Sequence, residues 1–149
     1  MLRTRLLIGG CFAAILALTA PAMAQTAAQG VRAVPHLIVV KVVEIPGNKM
    51  PFAFEPATFT AERGDTLEFV QFANTMHNVH FKTQPKGGKL GSAAISPYLI
   101  AKGEKYRIVV DSRFVDGTYE IVCDPHEMIG MHAFLTVDGV AKAVANNGK

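Results

Sequence analysis

Short runs of β-branched and aromatic residues, bounded by glycine and proline, recur along the chain from residue 36 to residue 138. Runs of this kind predict short β-strands rather than helices. We predict strands at residues 36–45, 66–72, 77–81, 104–111, 118–123 and 131–137, with a broken edge strand around two prolines at 52–60. The glycines and prolines between residues 82 and 103 predict a long loop or a short helix. The pattern therefore predicts an all-β, antiparallel sandwich of about seven strands.

The first 24 residues follow a different pattern. Arg3 and Arg5 precede an apolar run from Leu6 to Leu18, and the segment ends in Pro21-Ala22-Met23-Ala24. This order is typical of a secretory signal peptide that is cut after Ala24. The apolar run is too short for a membrane anchor. We therefore expect an exported protein, in the periplasm or an equivalent compartment, with no stable membrane insertion.

The remaining chain is long enough for one domain. Residues 25–35 lack periodicity and are expected to form a flexible lead-in, residues 36–138 a folded domain with a hydrophobic core, and residues 139–149 a flexible tail. Without residues 1–24 the 149-residue chain has 13 basic and 12 acidic residues, a net charge of +1. This charge argues against nucleic-acid binding, which depends on clustered Lys and Arg. Nothing in the sequence indicates an obligate oligomer, so we expect a monomer.

The mature chain is expected to carry a single thiol. Cys11 lies within the predicted signal peptide, which leaves Cys123 alone. In an oxidising compartment a single thiol cannot form an internal disulfide. It pairs between molecules, stays buried and inert, or binds a metal.

Cys123 begins a cluster of metal-binding residue types. His126 and Met131 follow it, and His77 lies 46 residues upstream. By the two-residue period of a strand, His77, Cys123 and Met131 each share the apolar face of their predicted strand. A thiolate, two imidazoles and a thioether suit copper, and a His₂Cys site with a weak axial Met is the blue-copper arrangement. Zinc tolerates Cys and His but has no use for a thioether.

Two segments of the sequence are similar to the cupredoxins, and within them to the plastocyanin, pseudoazurin and halocyanin branch. Residues 117–126, Gly-Thr-Tyr-Glu-Ile-Val-Cys-Asp-Pro-His, resemble the family's Gly-Thr-Tyr…Cys-x-Pro-His segment. Gly130-Met131 completes a C-x₂-H-x₄-M loop at that branch's spacing, and His77-Asn78-Val79 resembles its upstream His-Asn pair. The resemblance covers approximately residues 51–137.

The resemblance implies a Greek-key β-sandwich or barrel of seven to eight strands that binds one type 1 copper ion. The implied copper ligands are His77, Cys123, His126 and Met131. Asn78 and Pro125 would support these ligands, with Asn78 tying the upstream strand to the Cys123 loop by hydrogen bonds.

The implied function is that of a soluble carrier of single electrons between larger redox proteins, rather than an enzyme. Four protein ligands leave no open position for a substrate, whereas catalytic metal sites keep one. Plant plastocyanins carry an aromatic residue where this chain has Val122, and no acidic cluster flanks it here. We therefore expect a redox partner to dock at the end around His126, on an apolar surface formed by Met76, Met128 and Ile129.

Several alternatives stay open on the sequence alone. A β-bulge would allow His132 to replace Met131 as a ligand. The protein would instead buffer or deliver copper if three further thioethers serve as extra soft contacts, those of Met50, Met76 and Met128. A multicopper enzyme is disfavoured because the cysteine is flanked by Val and Asp rather than by relay histidines. A copper-free interaction module conflicts with a free thiol in an oxidising compartment.

Overall fold

A computed structural model describes residues 34–139. Its eight strands are β1 (Leu37–Glu44), β2 (Phe52–Glu55), β3 (Thr58–Glu62), β4 (Thr66–Gln71), β5 (His80–Thr83), β6 (Lys105–Val109), β7 (Gly117–Val122) and β8 (His132–Asp138). Two 3-10 helices span Gly91–Ala94 and Asp124–Ile129. No helix in this part of the chain is long and apolar enough to cross a membrane. The predicted signal peptide, Cys11, most of the lead-in and nearly all of the tail lie outside the described residues.

The strands form two four-stranded sheets, in the orders β2-β1-β4-β6 and β3-β8-β7-β5. The pairs β1–β4 and β3–β8 are parallel, and the other neighbours are antiparallel. Buried apolar side chains from both sheets form one core cluster, as in a β-sandwich. The prediction of an all-β sandwich of seven to eight strands is confirmed. The sheets are mixed rather than antiparallel throughout, and they do not close into a barrel.

Two local boundaries differ from the prediction. The edge strand predicted at residues 52–60 is two strands that belong to different sheets. His77 precedes β5 instead of lying within it, and its backbone pairs with Leu99 of the long loop in an isolated bridge. A second bridge joins His80 to Ile95. The long loop is therefore attached to the free edge of β5, next to the predicted metal site.

Aromatic side chains fill the centre of the core around Phe69, which is fully buried. Four ring centroids lie 6.1 to 6.4 Å from that of Phe69, those of Phe54, Phe59, Phe81 and Tyr106. Three of the four contacts are edge-on, the geometry that the ring quadrupole favours. Because Phe69 lies in one sheet and Phe59 and Phe81 lie in the other, this cluster joins the two layers.

Tyr119 fixes the loop that precedes β7. Its hydroxyl accepts a hydrogen bond from the Val115 N–H at 2.7 Å and donates one to the Val115 carbonyl at 3.0 Å. Burial raises the pKa of Tyr119, so its hydroxyl keeps the proton that it donates. At the start of β7, Gly117 has φ +131, and a Cβ there would lie 2.9 Å from Pro85 Cγ. These contacts set the position of β7, which leads directly into Cys123.

Candidate metal centre

Residues 123–131 connect β7 to β8 and carry three of the predicted ligands. These strands are the two inner strands of their sheet, so both ends of the connection are anchored. Val122 and His132 are the pair of partners nearest to the loop. The next residues, Cys123 and Met131, therefore lie side by side, and the Cys123 N–H donates to the Met131 carbonyl at 3.3 Å.

Backbone hydrogen bonds within this loop hold His126 beside Cys123. The His126 N–H donates to the Cys123 carbonyl at 2.9 Å, and the His126 carbonyl accepts from the Met131 N–H at 3.2 Å. Gly130 ends the 3-10 helix in the left-handed conformation, with φ +91. A Cβ at that position would also lie 2.6 Å from Met50 Sδ. The backbone angle requires glycine at this turn, whereas the exposed Met50 side chain could move aside.

His77 reaches the same place from the connection between β4 and β5. Its N–H donates to the Leu99 carbonyl at 3.1 Å, its carbonyl accepts from the Leu99 N–H at 2.7 Å, and its side chain is fully buried. The Nδ1 atoms of His77 and His126 each lie 3.4 Å from Cys123 Sγ and 3.1 Å from each other. The fold therefore brings three donor atoms from distant parts of the sequence to one point.

The spacing and protonation of these three donors fit a bound metal ion. Nitrogen and sulfur ligands at about 2.0–2.3 Å from one ion lie roughly 3.3–3.7 Å apart. Both nitrogen–sulfur distances of 3.4 Å lie in that range, and the 3.1 Å between the two nitrogens is slightly shorter. Burial lowers the pKa of both imidazoles, that of His77 to about 4 with a further contribution from the nearby His126, so both rings are neutral at pH 7. Burial raises the pKa of the Cys123 thiol, and a bound cation would reverse that penalty on the thiolate.

Met131 and His132 face opposite sides of β8. Met131 is fully buried and belongs to the same core cluster as Cys123. His132 is partly exposed, with Nδ1 3.0 Å from Glu120 Oε1 and Nε2 3.2 Å from the Glu127 carbonyl. Both ring nitrogens of His132 are therefore engaged on the outer face, and Met131 is the residue whose side chain lies on the inner face with the other donors.

Asn78 joins the His77 segment to the Cys123 loop through Asp124. The Asn78 amide donates to Asp124 Oδ2 at 2.6 Å, and the Asp124 N–H donates to Asn78 Oδ1 at 2.9 Å. His80 Nδ1 lies 2.6 Å from the other oxygen of the same carboxylate. Although burial alone would raise it, hydrogen bonds from His80 and Asn78 lower the pKa of Asp124. Pro125 follows in the first turn of the 3-10 helix, where its missing N–H is not needed.

Two contacts at this site are not visible in the sequence pattern. The strand period places His80 on the solvent side, opposite His77, but its ring is held against Asp124 and is only 24% exposed. Phe52 of β2 packs against both imidazoles, with ring centroids 4.9 Å from His77 and 4.3 Å from His126. A lone Phe before a proline-containing segment gives no signal that it covers a metal site.

Exposed apolar side chains lie close in sequence to His77 and to the half-buried His126. Met76, Met128 and Ile129 are all exposed, and Met128 is 95% exposed. Met50 is exposed as well, next to Gly130. The three residues predicted to form a docking surface therefore all reach solvent.

The β-sandwich and its thiolate, imidazole and thioether cluster define a copper-binding protein of the cupredoxin type. The sequence model of copper binding proteins of the plastocyanin/azurin family matches residues 39–138, and the chain belongs to that family. It is 33% identical over 98 residues to plastocyanin from Ulva prolifera, which covers 64% of this chain and 97% of that protein. Plastocyanin from a Synechococcus strain is 32% identical over 101 residues, covering 66% and 73%. The oxidised plastocyanin of Dryopteris crassirhizoma superimposes with a TM-score of 0.55 at 29% identity, covering 67% of this chain and 99% of that one.

Acidification should destabilise the metal-free protein between about pH 6.5 and pH 4. The folded-state pKa of His77 is about 4, against an ordinary value of 6.5, so in that range the unfolded chain binds more protons than the folded one. The free energy of unfolding falls as the pH falls, by about 3 kcal/mol in total from His77, and levels off below pH 4. The lowered pKa of His126 acts in the same direction.

Urea unfolding of the metal-free protein at a series of pH values measures this effect. His77→Gln removes the titrating ring, so its free energy of unfolding should depend less on pH between 6.5 and 4. The same slope in both proteins would show that His77 is not responsible.

Proposed function

We propose that this protein is an exported blue-copper protein that carries single electrons between larger redox proteins. In this proposal one copper ion is held by His77, Cys123, His126 and Met131. The observation that carries it is the convergence of one Sγ and two Nδ1 atoms, all within 4.8 Å of one another, in a chain of the plastocyanin/azurin family. When bound, copper supplies the exchange between Cu(I) and Cu(II).

The ligand arrangement supports a carrier rather than an enzyme. Four protein ligands would fill the coordination shell, so no position stays open for a substrate or an activated water. The ligands are held by the inner strands β7 and β8, by the Leu99 bridge and by the Asn78–Asp124 hydrogen bonds. A framework held at so many points would move little when one electron is added or removed.

Electrons would enter and leave through His126. His126 is the proposed ligand that reaches solvent, whereas His77, Cys123 and Met131 are fully buried. Met76, Met128 and Ile129 form the apolar surface on which a redox partner would dock close to the metal. Val122 is fully buried, so the side chain before the cysteine offers no second exit at the surface.

The proposed location is the periplasm or an equivalent exported compartment. Its support is the basic, apolar and small-residue order of residues 1–24. In that compartment the protein would act as a soluble monomer.

Two residues next to the ligands would hold the ligand loop in place, namely Asn78 and Pro125.

The alternative function is copper buffering or delivery. Its support is the set of exposed thioethers near the site, those of Met50, Met76 and Met128, because thioethers bind Cu(I). A carrier keeps its metal through many turnovers, whereas a delivery protein releases it to an acceptor.

Addition of one equivalent of Cu(II) to the mature protein tests the function. We expect an intense absorption band in the orange-red from thiolate-to-copper charge transfer, rapid electron exchange between oxidised and reduced protein, and slow loss of copper to a chelator. A colourless loaded protein would overturn the blue-copper site. A coloured protein with slow electron exchange and ready copper loss would favour delivery.

A further inference from the structure

Gln71, the last residue of β4, is a fully buried polar side chain close to the metal centre. Its amide Nε2 donates to the Thr75 carbonyl at 2.7 Å and to the Leu99 carbonyl at 2.9 Å. The backbone of Gln71 is fixed as well. Its N–H donates to the Glu104 carbonyl at 2.9 Å, and its carbonyl accepts from the Gly103 N–H at 2.8 Å.

The Leu99 carbonyl links this amide to His77. The same oxygen that accepts from Gln71 Nε2 also accepts from the His77 N–H at 3.1 Å. Thr75, the other acceptor, lies two residues before His77 in the chain. Gln71 therefore holds two backbone segments. One is the β4–β5 connection, which carries His77, and the other is the part of the long loop that pairs with His77.

Gln71 leaves one amide atom unpaired while it makes these two bonds. Gln71 Oε1 is buried and has no hydrogen-bond partner among residues 34–139. Burying an unpaired oxygen is costly, so the bonds that Nε2 donates to the Thr75 and Leu99 carbonyls are what this amide contributes here.

We propose that Gln71 is a positioning residue for His77, holding its backbone through Leu99 and Thr75 so that Nδ1 stays beside the other donors. The inference rests on the proposed function only where His77 is treated as a copper ligand. A buried glutamine with no such role would be unfavourable at this place, because an apolar residue would avoid burying an unpaired oxygen.

Gln71→Met tests the proposal because it keeps the length of the side chain and removes both donors. In the metal-free protein, the ring nitrogen NMR signals of His77 should shift or broaden, and exchange of the His77 backbone amide hydrogen should accelerate at least tenfold. Gln84→Met is the matched control. Gln84 lies outside the site and only accepts from the Leu90 N–H at 3.4 Å, so both readouts should stay as in the wild type.

The copper-loaded variant gives a second readout. Copper affinity should fall by roughly 10- to 100-fold, the usual effect of losing a residue that orients a ligand. Unchanged NMR signals, exchange and affinity in Gln71→Met would overturn the proposal. If the wild type itself fails to develop the charge-transfer band, the proposed function fails, while the metal-free measurements still decide the role of Gln71.

One measurement needs no variant and covers the case in which Gln71→Met does not fold. In the metal-free wild type, the side-chain amide hydrogens of Gln71 should exchange as slowly as the His77 backbone amide hydrogen, because both open together. If they exchange as fast as those of the exposed Asn48, Gln71 does not hold this unit and the proposal is wrong.

Discussion

Cys123→Ala should abolish the intense visible absorption of the copper-loaded protein. The band arises from charge transfer between the thiolate and copper, and Cys123 carries the one thiol in residues 34–139. Its Sγ is the donor that lies 3.4 Å from both imidazole nitrogens, so its removal also leaves two histidines without the anionic ligand between them. Absorption spectra at increasing Cu(II), together with the copper dissociation constant, measure both losses.

Two variants on β8 or next to it test whether the loss of the band is specific to the thiolate. His132→Ala should leave the band unchanged, because the His132 ring bonds to Glu120 and to the Glu127 carbonyl on the outer face. Met131→Leu should keep the colour and raise the reduction potential, since a weak axial ligand is lost. If His132→Ala alters the spectrum more than Met131→Leu does, the axial ligand has been assigned wrongly.

Phe69→Ala should reduce the free energy of unfolding of the metal-free protein by about 3–5 kcal/mol. Phe69 is fully buried and its ring contacts four other aromatic rings, two of them in the opposite sheet. The substitution removes the central side chain between the layers and leaves a cavity that rigid neighbouring rings cannot fill. Urea unfolding measured by circular dichroism gives the change directly.

Phe134→Ala is the matched control for this substitution. Phe134 lies on β8, is 44% exposed and points away from the core, so its loss should cost less than 1 kcal/mol. Phe69→Leu should recover part of the lost stability because it fills part of the cavity. Equal effects of Phe69→Ala and Phe134→Ala would show that the aromatic cluster does not hold the two sheets together.

Local patterns predicted most of the fold. Alternation and β-branched residues identified the strands, because each is a half-buried segment whose side-chain period is visible in the sequence. Mixed sheets could not be predicted, since parallel pairing of β1 with β4 and of β3 with β8 depends on contacts between distant segments. The separation of β2 from β3 could not be predicted either, because the sheet that each half of 52–60 joins also depends on contacts with distant segments.

The metal centre likewise has a part that the sequence predicts and a part that depends on the folded arrangement. The spacing of Cys123, His126 and Met131 is local, so the sequence alone suggests that they lie together. For His77 the sequence offers only the residue type and the strand face, which the family resemblance strengthened, because tertiary pairing with Leu99 is what brings it to the loop. The contacts of Phe52 with both imidazoles and of Gln71 with Leu99 depend wholly on the folded arrangement and left no pattern in the sequence.

The ligand segments are positioned by the β7–β8 pairing, the Leu99 bridge and the Asn78–Asp124 hydrogen bonds. We expect a chain held by such contacts to fold first and acquire its ion afterwards, unlike small domains that fold only around zinc. Folding then gives no opportunity to reject an incorrect ion, and any thiophilic cation that arrives early can bind to the donor atoms. Correct metallation would have to depend on which ions the compartment supplies, and on how quickly a wrongly bound one is exchanged.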